Sequence, residues 1–325
     1  LVCKTYFCAN IICFSLKIVH SIPSFVAVKP TVVTIGTFDG VHLGHQKIIA
    51  QITAAAKDKD CDSLVLTFFP HPRMVLQEGT EMKQLNTIEE KTALLEQLGV
   101  DHLVIHPFDK AFSRMTAEEF VKEVLVDTFR LKKIIIGYDH RFGRNRTADI
   151  NDLITFGETY EFEVAQISAE ELNDVSISST KIRTALNEGN IELANNYLGY
   201  PYAITGQVVK DQQLGRTIGY PTANISVQED YKLIPQNGVY VVQSTIQGET
   251  VFGMMNIGNR PTVNGTSQTI EVHFLNFDQD LYNQTISVSL LKRLRSEQKF
   301  PSLDALKTQL LQDKNDTASF IASLR

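Results

Sequence analysis

Three stretches of this chain concentrate residues able to handle phosphate. In Gly36-Thr-Phe-Asp-Gly-Val-His42-Leu-Gly-His45, two imidazoles stand three positions apart behind Gly40 and Gly44. At a helix start that spacing puts His42 and His45 on one face of the first turn. Free backbone N–H groups there attract phosphate, and glycine lets the backbone approach closely. The imidazoles can donate to phosphate oxygens whose charge grows in a transition state, without needing a metal as ligand. In Ile177-Ser178-Ser179-Thr180-Lys181-Ile182-Arg183, three hydroxyls at a helix start precede two cations in its first turn. This is a second phosphate cradle, although alone it reads as an ordinary capped helix.

The third stretch, Leu214-Gly-Arg-Thr-Ile-Gly-Tyr-Pro-Thr-Ala-Asn224, holds two oxygen-bearing side chains, Thr222 and Asn224, behind a proline-fixed turn. Mg²⁺ keeps most of its waters and binds substrate phosphates, so a hydroxyl and an amide oxygen can hold it without a carboxylate cage. A plain turn capped by its own asparagine is the competing reading. Alternation in Thr269-Ile-Glu271-Val-His273-Phe274 puts Ile270, Val272 and Phe274 on one sheet face and Glu271 with His273 on the other. If that second face lines a pocket, Glu271 can take the proton of an attacking hydroxyl; otherwise it is a solvated strand face.

Other phosphate motifs are missing. No two of the 18 glycines lie two positions apart, so G-x-G-x-x-G cannot occur, and no Gly-Lys-Ser/Thr is found. A dinucleotide dehydrogenase and a P-loop kinase are disfavoured. The four cysteines, Cys3, Cys8, Cys13 and Cys61, form no C-x-x-C pair, which argues against a disulfide framework or thiolate zinc site and for a reducing, cytoplasmic setting. A net charge of −6 provides no broad basic field, so nucleic acid is not expected as a partner. No obligate protein partner is inferred.

The elements that must position these residues follow from periodicity. β-branched Pro30–Ile35 predicts a strand, and Ile48, Ile49, Ile52, Ala55 and Ala56 recur at helical spacing after the Gly-rich loop. The alternation continues through strands at Ser63–Phe68, His102–Ile105 and Lys132–Ile136, with helices at Glu89–Leu98 and Ala117–Thr128. The expected fold is α/β, a doubly wound parallel sheet whose first loop lies at the strand carboxyl ends, where such sheets bind ligands.

Beyond residue 200, strands follow one another at Tyr202–Lys210, Val239–Ile246, Thr250–Ile257, Thr269–Phe277 and Thr285–Lys292, with turns at Asn237-Gly238 and Asn264-Gly265. This predicts an antiparallel barrel or sandwich. A last helix is expected after Pro301, with Ser302 as N-cap and Leu303, Leu306, Leu310 and Leu311 on its buried side. The 325 residues suffice for two domains, with a linker around Asn187–Pro201. Residues 1–15 differ in composition and read as an appended segment, too short to span a bilayer. No membrane association is expected.

Several of these segments, together with Thr67-Phe-Phe-Pro-His-Pro72, Pro107-Phe-Asp109 and Gly137-Tyr-Asp-His-Arg-Phe-Gly143, resemble the adenylyltransferase half of the bacterial bifunctional riboflavin kinase/FMN adenylyltransferases, or FAD synthetases, from about Lys17 to Arg183. The resemblance implies that ATP is held by His42 and His45, by Gly36, Phe38, Asp39 and Gly40 of their loop, and by Ser178, Ser179, Thr180 and Arg183. It places Asp139 at the flavin. Gly-Arg-Thr-Ile-Gly-Tyr-Pro-Thr-Ala-Asn224, Asn237-Gly-Val-Tyr240, Asn256-Ile-Gly-Asn-Arg-Pro-Thr262, Ile-Glu-Val-His273 and Leu294-Arg-Ser-Glu-Gln-Lys-Phe300 resemble the riboflavin kinase module, from about Tyr202 to Leu324. That similarity implies a six-stranded barrel and Mg-ATP at Gly215, Thr222 and Asn224. It makes Glu271 the base, with Arg295 and Glu297 bordering the flavin.

Relatives usually carry glycine where Lys210-Asp211-Gln212-Gln213 stands here, so Asp211 is expected to weaken ATP binding. The expected domains are an appended segment at 1–15, an FMN adenylyltransferase at 16–187 and a riboflavin kinase at 188–325. Riboflavin, ATP and FMN are the small-molecule partners, Mg²⁺ is the cofactor, and FMN and FAD are the products. Two alternatives stand beside this: a single-activity enzyme whose other half is a flavin-binding regulatory module, and a nucleotidyltransferase for another acceptor, such as a phosphopantetheine or a nicotinamide mononucleotide.

Overall fold

A computed structural model describes residues 16–77, 82–138, 141–168, 177–210, 215, 218–262 and 265–324. The appended segment at 1–15, Asp139, Asp211 and the Asn264 turn position lie outside the described residues. The chain divides into two compact units, Leu1–Glu81 with Lys91–Ser176, and Met82–Glu90 with Ile177–Arg325. The division expected at 187/188 therefore falls inside the second unit.

In the first unit the elements are β1 (Lys17–Val19), β2 (Thr31–Ile35), α1 (Leu43–Asp58), β3 (Asp62–Phe69), α2 (Pro72–Leu76), α3 (Ile88–Gln97, whose first three residues belong to the second unit), β4 (His102–Pro107), α4 (Ala117–Glu119), β5 (Leu131–Gly137), α5 (Ile150–Tyr160) and β6 (Glu163–Ile167). α4 continues as a π-helical stretch, Phe120–Thr128. The six strands form one parallel sheet in the order β1-β4-β3-β2-β5-β6. β2 is buried along its whole length because both sheet faces are covered. On one face Val33, Leu64, Val104 and Ile134 pack with Val121, Leu125 and Phe129. The order reverses direction between β2 and β5, which opens a ligand crevice beyond the end of β2.

The second unit contains α6 (Ser179–Asn187), α7 (Ile191–Leu198), β7 (Ala203–Val209), β8 (Ala223–Ser226), β9 (Gly238–Ile246), β10 (Glu249–Thr262), β11 (Gly265–Phe274), β12 (Thr285–Arg295) and α8 (Leu303–Ser323). Its six strands close into a barrel in the order β10-β11-β8-β7-β12-β9. β8 is the strand that periodicity does not pick out, since four residues shortly after Pro221 are too few to show alternation. The expected linker is instead occupied by α7, capped by Asn190 and ended by Gly199 in a left-handed conformation (φ 78°). Ile191, Ala194 and Leu198 of α7 share one core with Ile182 and Leu186 of α6 and with Tyr202, Val242 and Val288 of the barrel.

Gly238 proves to be the first residue of β9 rather than a turn position: a Cβ there would lie 2.6 Å from the Arg295 carbonyl oxygen. Ser302 does cap α8, accepting from the Ala305 N–H at 3.2 Å. The leucine face is corrected, because Leu303 and Leu311 are 55% and 53% exposed while Asp313 and Thr317 are buried. The pairing of Arg295 with Asp313 rotates the helix so that a polar strip faces the barrel. Among the described residues no helix is long and apolar enough to cross a membrane.

Candidate active sites

The first site grows from the end of β2. Its loop passes through left-handed backbone at Phe38 (φ 45°), Gly40 (φ 87°) and Val41 (φ 34°) before α1 begins. A Cβ on Gly36 would come within 3.1 Å of the Phe38 ring, so glycine lets that ring fold back over the loop. His42 is the N-cap of α1, and its Nδ1 accepts the His45 N–H at 3.4 Å. Accepting at Nδ1 leaves the proton of the neutral ring on Nε2, available for donation. The His42 and His45 rings stack, with centroids 3.6 Å apart and planes inclined by 16°.

Stacked imidazoles cannot both carry charge cheaply. Burial pushes the His42 pKa down to about 4, and burial, His42 and Lys91 together hold His45 well below the usual range. Both rings are neutral donors at pH 7. The Phe38 ring meets His45 edge-on at 5.1 Å, and Asp39 is only 1% exposed. The Nδ1 of His45 is buried with no hydrogen-bond partner. Lys91 of α3, missed by motif reading, is 2% exposed and donates to the Thr37 carbonyl at 2.8 Å. Its only sequence signal is its position four residues before the buried Leu95 on one helix face.

Ser178, Ser179, Thr180 and Arg183 lie in the second unit. Ser178 caps α6, its Oγ accepting the Lys181 N–H at 3.3 Å, and Ser179 opens the helix. Thr180 is exposed. The Arg183 Nε donates to the Lys83 carbonyl at 2.8 Å, in the Met82–Glu90 segment of the same unit.

On the barrel, alternation turns Ile225, Ile257, Ile270 and Val272 inward and leaves the neighbouring positions outside. Register places Asn224 of β8 and Asn256 of β10 on either side of Glu271 of β11, so three adjacent strands align three polar side chains on the outer face. The Glu271 carboxylate accepts from Arg260 Nη2 at 2.9 Å and from Thr222 Oγ1 at 3.5 Å. His273, on the same face, holds the preceding loop through Nδ1 and the Pro221 carbonyl at 2.8 Å and through an edge-on contact with Tyr220. Only glycine fits at 215, since a Cβ would lie 2.2 Å from the Tyr220 oxygen.

Glu297 accepts from Asn237 Nδ2 at 3.0 Å and from the Asn259 N–H at 3.3 Å. It occupies the space left by the missing side chain of Gly258 on that outer face. Arg295 makes a forked pair with Asp313 of α8, Nε to Oδ1 at 2.9 Å and Nη2 to Oδ2 at 2.8 Å. Asn256 and Arg260 were not singled out from sequence, because their place beside Glu271 depends on strand register. A cavity of about 590 Å³ adjoins this face, lined by Asn224, Ser226, Thr269, Lys210 and Lys232 among others, a volume ordinary for a small-molecule site. The hydroxyl of Thr222 and the amide of Asn224 are hard oxygen donors near a carboxylate, a set suited to a cation shared with substrate phosphates.

Two family models match the chain, one described as FAD synthetase over residues 26–181 and one as riboflavin kinase over residues 198–321. The chain is 39% identical to the bifunctional riboflavin kinase/FMN adenylyltransferase of Escherichia coli K12, over 89% of this chain and 92% of that protein. It is also 39% identical to the protein of the same name from Listeria monocytogenes, over 90% and 93%. A solved structure from Streptococcus pneumoniae, described as a macrolide-efflux protein, superposes with a TM-score of 0.85 at 32% identity, covering 93% of this chain and 98% of that one. A parallel sheet bearing a stacked histidine pair, a closed barrel bearing an aligned carboxylate and both family matches lead to one conclusion: this chain belongs to the bifunctional riboflavin kinase/FMN adenylyltransferase family.

Proposed function

We propose that this protein makes FAD in two steps, phosphorylating riboflavin with ATP and then transferring an adenylyl group from a second ATP to the FMN formed, with release of pyrophosphate. The observation that carries this is the coexistence in one chain of the His42–His45 stack at a sheet switch point and the Glu271 alignment on a barrel, each inside its own family match. Residues 16–187 and 188–325 are assigned to adenylyl transfer and kinase activity respectively.

In the kinase step Glu271 takes the proton of the riboflavin 5′-hydroxyl as the hydroxyl oxygen attacks the γ-phosphorus of ATP, the bond to the β-phosphate breaks and ADP leaves. Arg260 orients the carboxylate. Thr222 and Asn224 would hold Mg²⁺, which when bound neutralises phosphate charge. The Gly215 turn and the adjoining cavity take the nucleotide, and Glu297 and Arg295 border the flavin. In the second step the FMN phosphate attacks the α-phosphorus of ATP, with Nε2–H of His42 and the neighbouring His45 stabilising the charge that builds on the phosphate oxygens. Gly36, Phe38, Asp39 and Gly40 shape that nucleotide site. Ser178, Ser179, Thr180 and Arg183 contribute to ATP binding, and Asp139 is assigned to flavin binding by the family resemblance.

The work belongs in the cytoplasm, with no nucleic acid and no obligate protein partner required. Incubating the pure protein with riboflavin and Mg-ATP and resolving the flavins chromatographically tests the whole reading. FMN should appear first and FAD after it. FMN alone, or FAD only from supplied FMN, would leave a single-activity enzyme in its place.

A further inference from the structure

Lys91 has no part in the steps above, yet it is among the largest fully buried side chains of the molecule. Burying an ammonium is costly unless its site rewards it. Its Nζ donates at 2.8 Å to a neutral group, the Thr37 carbonyl, which also accepts from Thr67 Oγ1 at 3.2 Å. That carbonyl lies in the loop between β2 and α1, two residues before buried Asp39 and five before the N-cap His42. Donors from α3 and β3 thus fix the start of a loop whose next residues take three left-handed conformations.

From this geometry we infer that Lys91 is a positioning residue for adenylyl transfer, holding the Thr37–Gly40 turn and placing one fixed positive charge behind the histidine pair. The inference rests on the adenylyltransferase reading above. The hydrogen bond to Thr37 keeps Asp39 and the N-terminus of α1 in register with the nucleotide, and the charge disfavours protonation of His45. Burial holds the His45 pKa down first, with His42 and then Lys91 as the titratable groups acting the same way; burial also lowers the Lys91 pKa, and Asp39 opposes that and favours the ammonium. Preorganisation of this kind acts on the transition state and leaves ground-state binding less affected.

The test uses the full-length protein and two substitutions. Lys91→Gln keeps a donor for Thr37 and removes the charge; Lys91→Arg keeps the charge and changes the reach. Steady-state FAD formation from FMN and Mg-ATP is measured between pH 4 and 8, with riboflavin phosphorylation and thermal melting as controls. Lys91→Gln should lower kcat for FAD roughly 30-fold or more, with KM for ATP and FMN within a few-fold, and move the acid limb of kcat to higher pH. Lys91→Arg should restore the wild-type acid limb and part of kcat. Riboflavin phosphorylation should be unchanged in both.

A Lys91→Gln protein with wild-type kcat and acid limb would overturn the role. So would a loss that tracks the melting temperature equally in both variants with no shift of the limb, since that describes a lysine needed only for folding. If the wild-type chain itself makes no FAD from FMN, the adenylyltransferase reading falls and this role falls with it; FAD from the wild type separates the two failures.

Discussion

A carboxylate held by one guanidinium and one hydroxyl, and a pair of neutral imidazoles at a helix start, make different demands on their surroundings. Glu271 sits on an outer sheet face beside Arg260 and Thr222. Glu271→Gln keeps the shape and removes the proton acceptor. FMN formation from riboflavin should fall by roughly 10²–10⁴-fold, the range for losing a general base, while FAD formation from supplied FMN stays near wild type. Near-normal phosphorylation by this variant would remove Glu271 from the reaction. His42→Ala should cost about 3 kcal/mol in FAD formation and leave the kinase intact, as for one lost oxyanion donor; FAD output within a few-fold of wild type would sink the assignment. His42 also predicts a pH dependence of stability. Its folded pKa, about 4, lies below the ordinary 6.5, so the unfolded chain binds more protons between those values. The stabilisation is complete above pH 6.5 and is lost as pH falls toward 4, by up to about 3 kcal/mol. Urea unfolding across that range should show a steeper loss in wild type than in His42→Asn, which keeps a cap without the titration.

The helix α8 shows how an element can be present where periodicity puts it and still turn a different face inward. Leu303, Leu306, Leu310 and Leu311 suggest an apolar stripe, but the side chains most deeply buried on α8 are Asp313 and Thr317. Asp313 is 2% exposed, takes the fork of Arg295 and also accepts from Gln309 Nε2 at 2.9 Å. Asp313→Ala removes a charged hydrogen-bond acceptor and leaves the partly buried Arg295 guanidinium without its partner, so it should destabilise the protein by about 1.5–3 kcal/mol. Leu303→Ala and Leu311→Ala, at exposed positions, should each change stability by less than about 0.5 kcal/mol. Thermal melts of the three variants check this, and the reverse ranking would restore the leucine face. The middle of α8, where Asp313 takes Arg295, is therefore part of what aims the Arg295–Glu297 segment. No pattern of hydrophobicity announces this, because a buried ion pair reads in sequence as two surface charges.

At the scale of the molecule, the second unit includes Met82–Glu90, a piece of chain from within the first sequence half. Gln84 bridges to Lys232, and the Lys232 ammonium, fully buried, is held by Glu90 Oε2 at 2.5 Å and the Leu85 carbonyl at 2.8 Å over the Tyr202 ring. A fragment cut at 187/188 would keep Lys232 and lose both oxygens. The fragment 188–325 should therefore unfold at lower urea than the same region in the full chain, and Lys232→Met should stabilise the fragment while destabilising the full-length protein. Equal midpoints for fragment and full chain would show that the segment contributes nothing. Composition and periodicity determine much of this architecture by themselves: the alternation of β2, α1, β3 and β4 makes a parallel sheet almost obligatory, and the two-residue period of β11 decides that Glu271 and His273 share a face. The His42-x-x-His45 spacing is equally local, since three residues of helix suffice to bring the rings together. What only tertiary structure decided depends on partners distant in sequence. Strand register set Asn224 and Asn256 beside Glu271, α3 delivered Lys91 beneath the histidine loop, and Ser178–Arg183 became part of the unit built around the barrel. Local pattern specifies which face a side chain occupies; closing a barrel or burying a charge specifies what it meets there, because those energies come from groups the chain brings together only on folding.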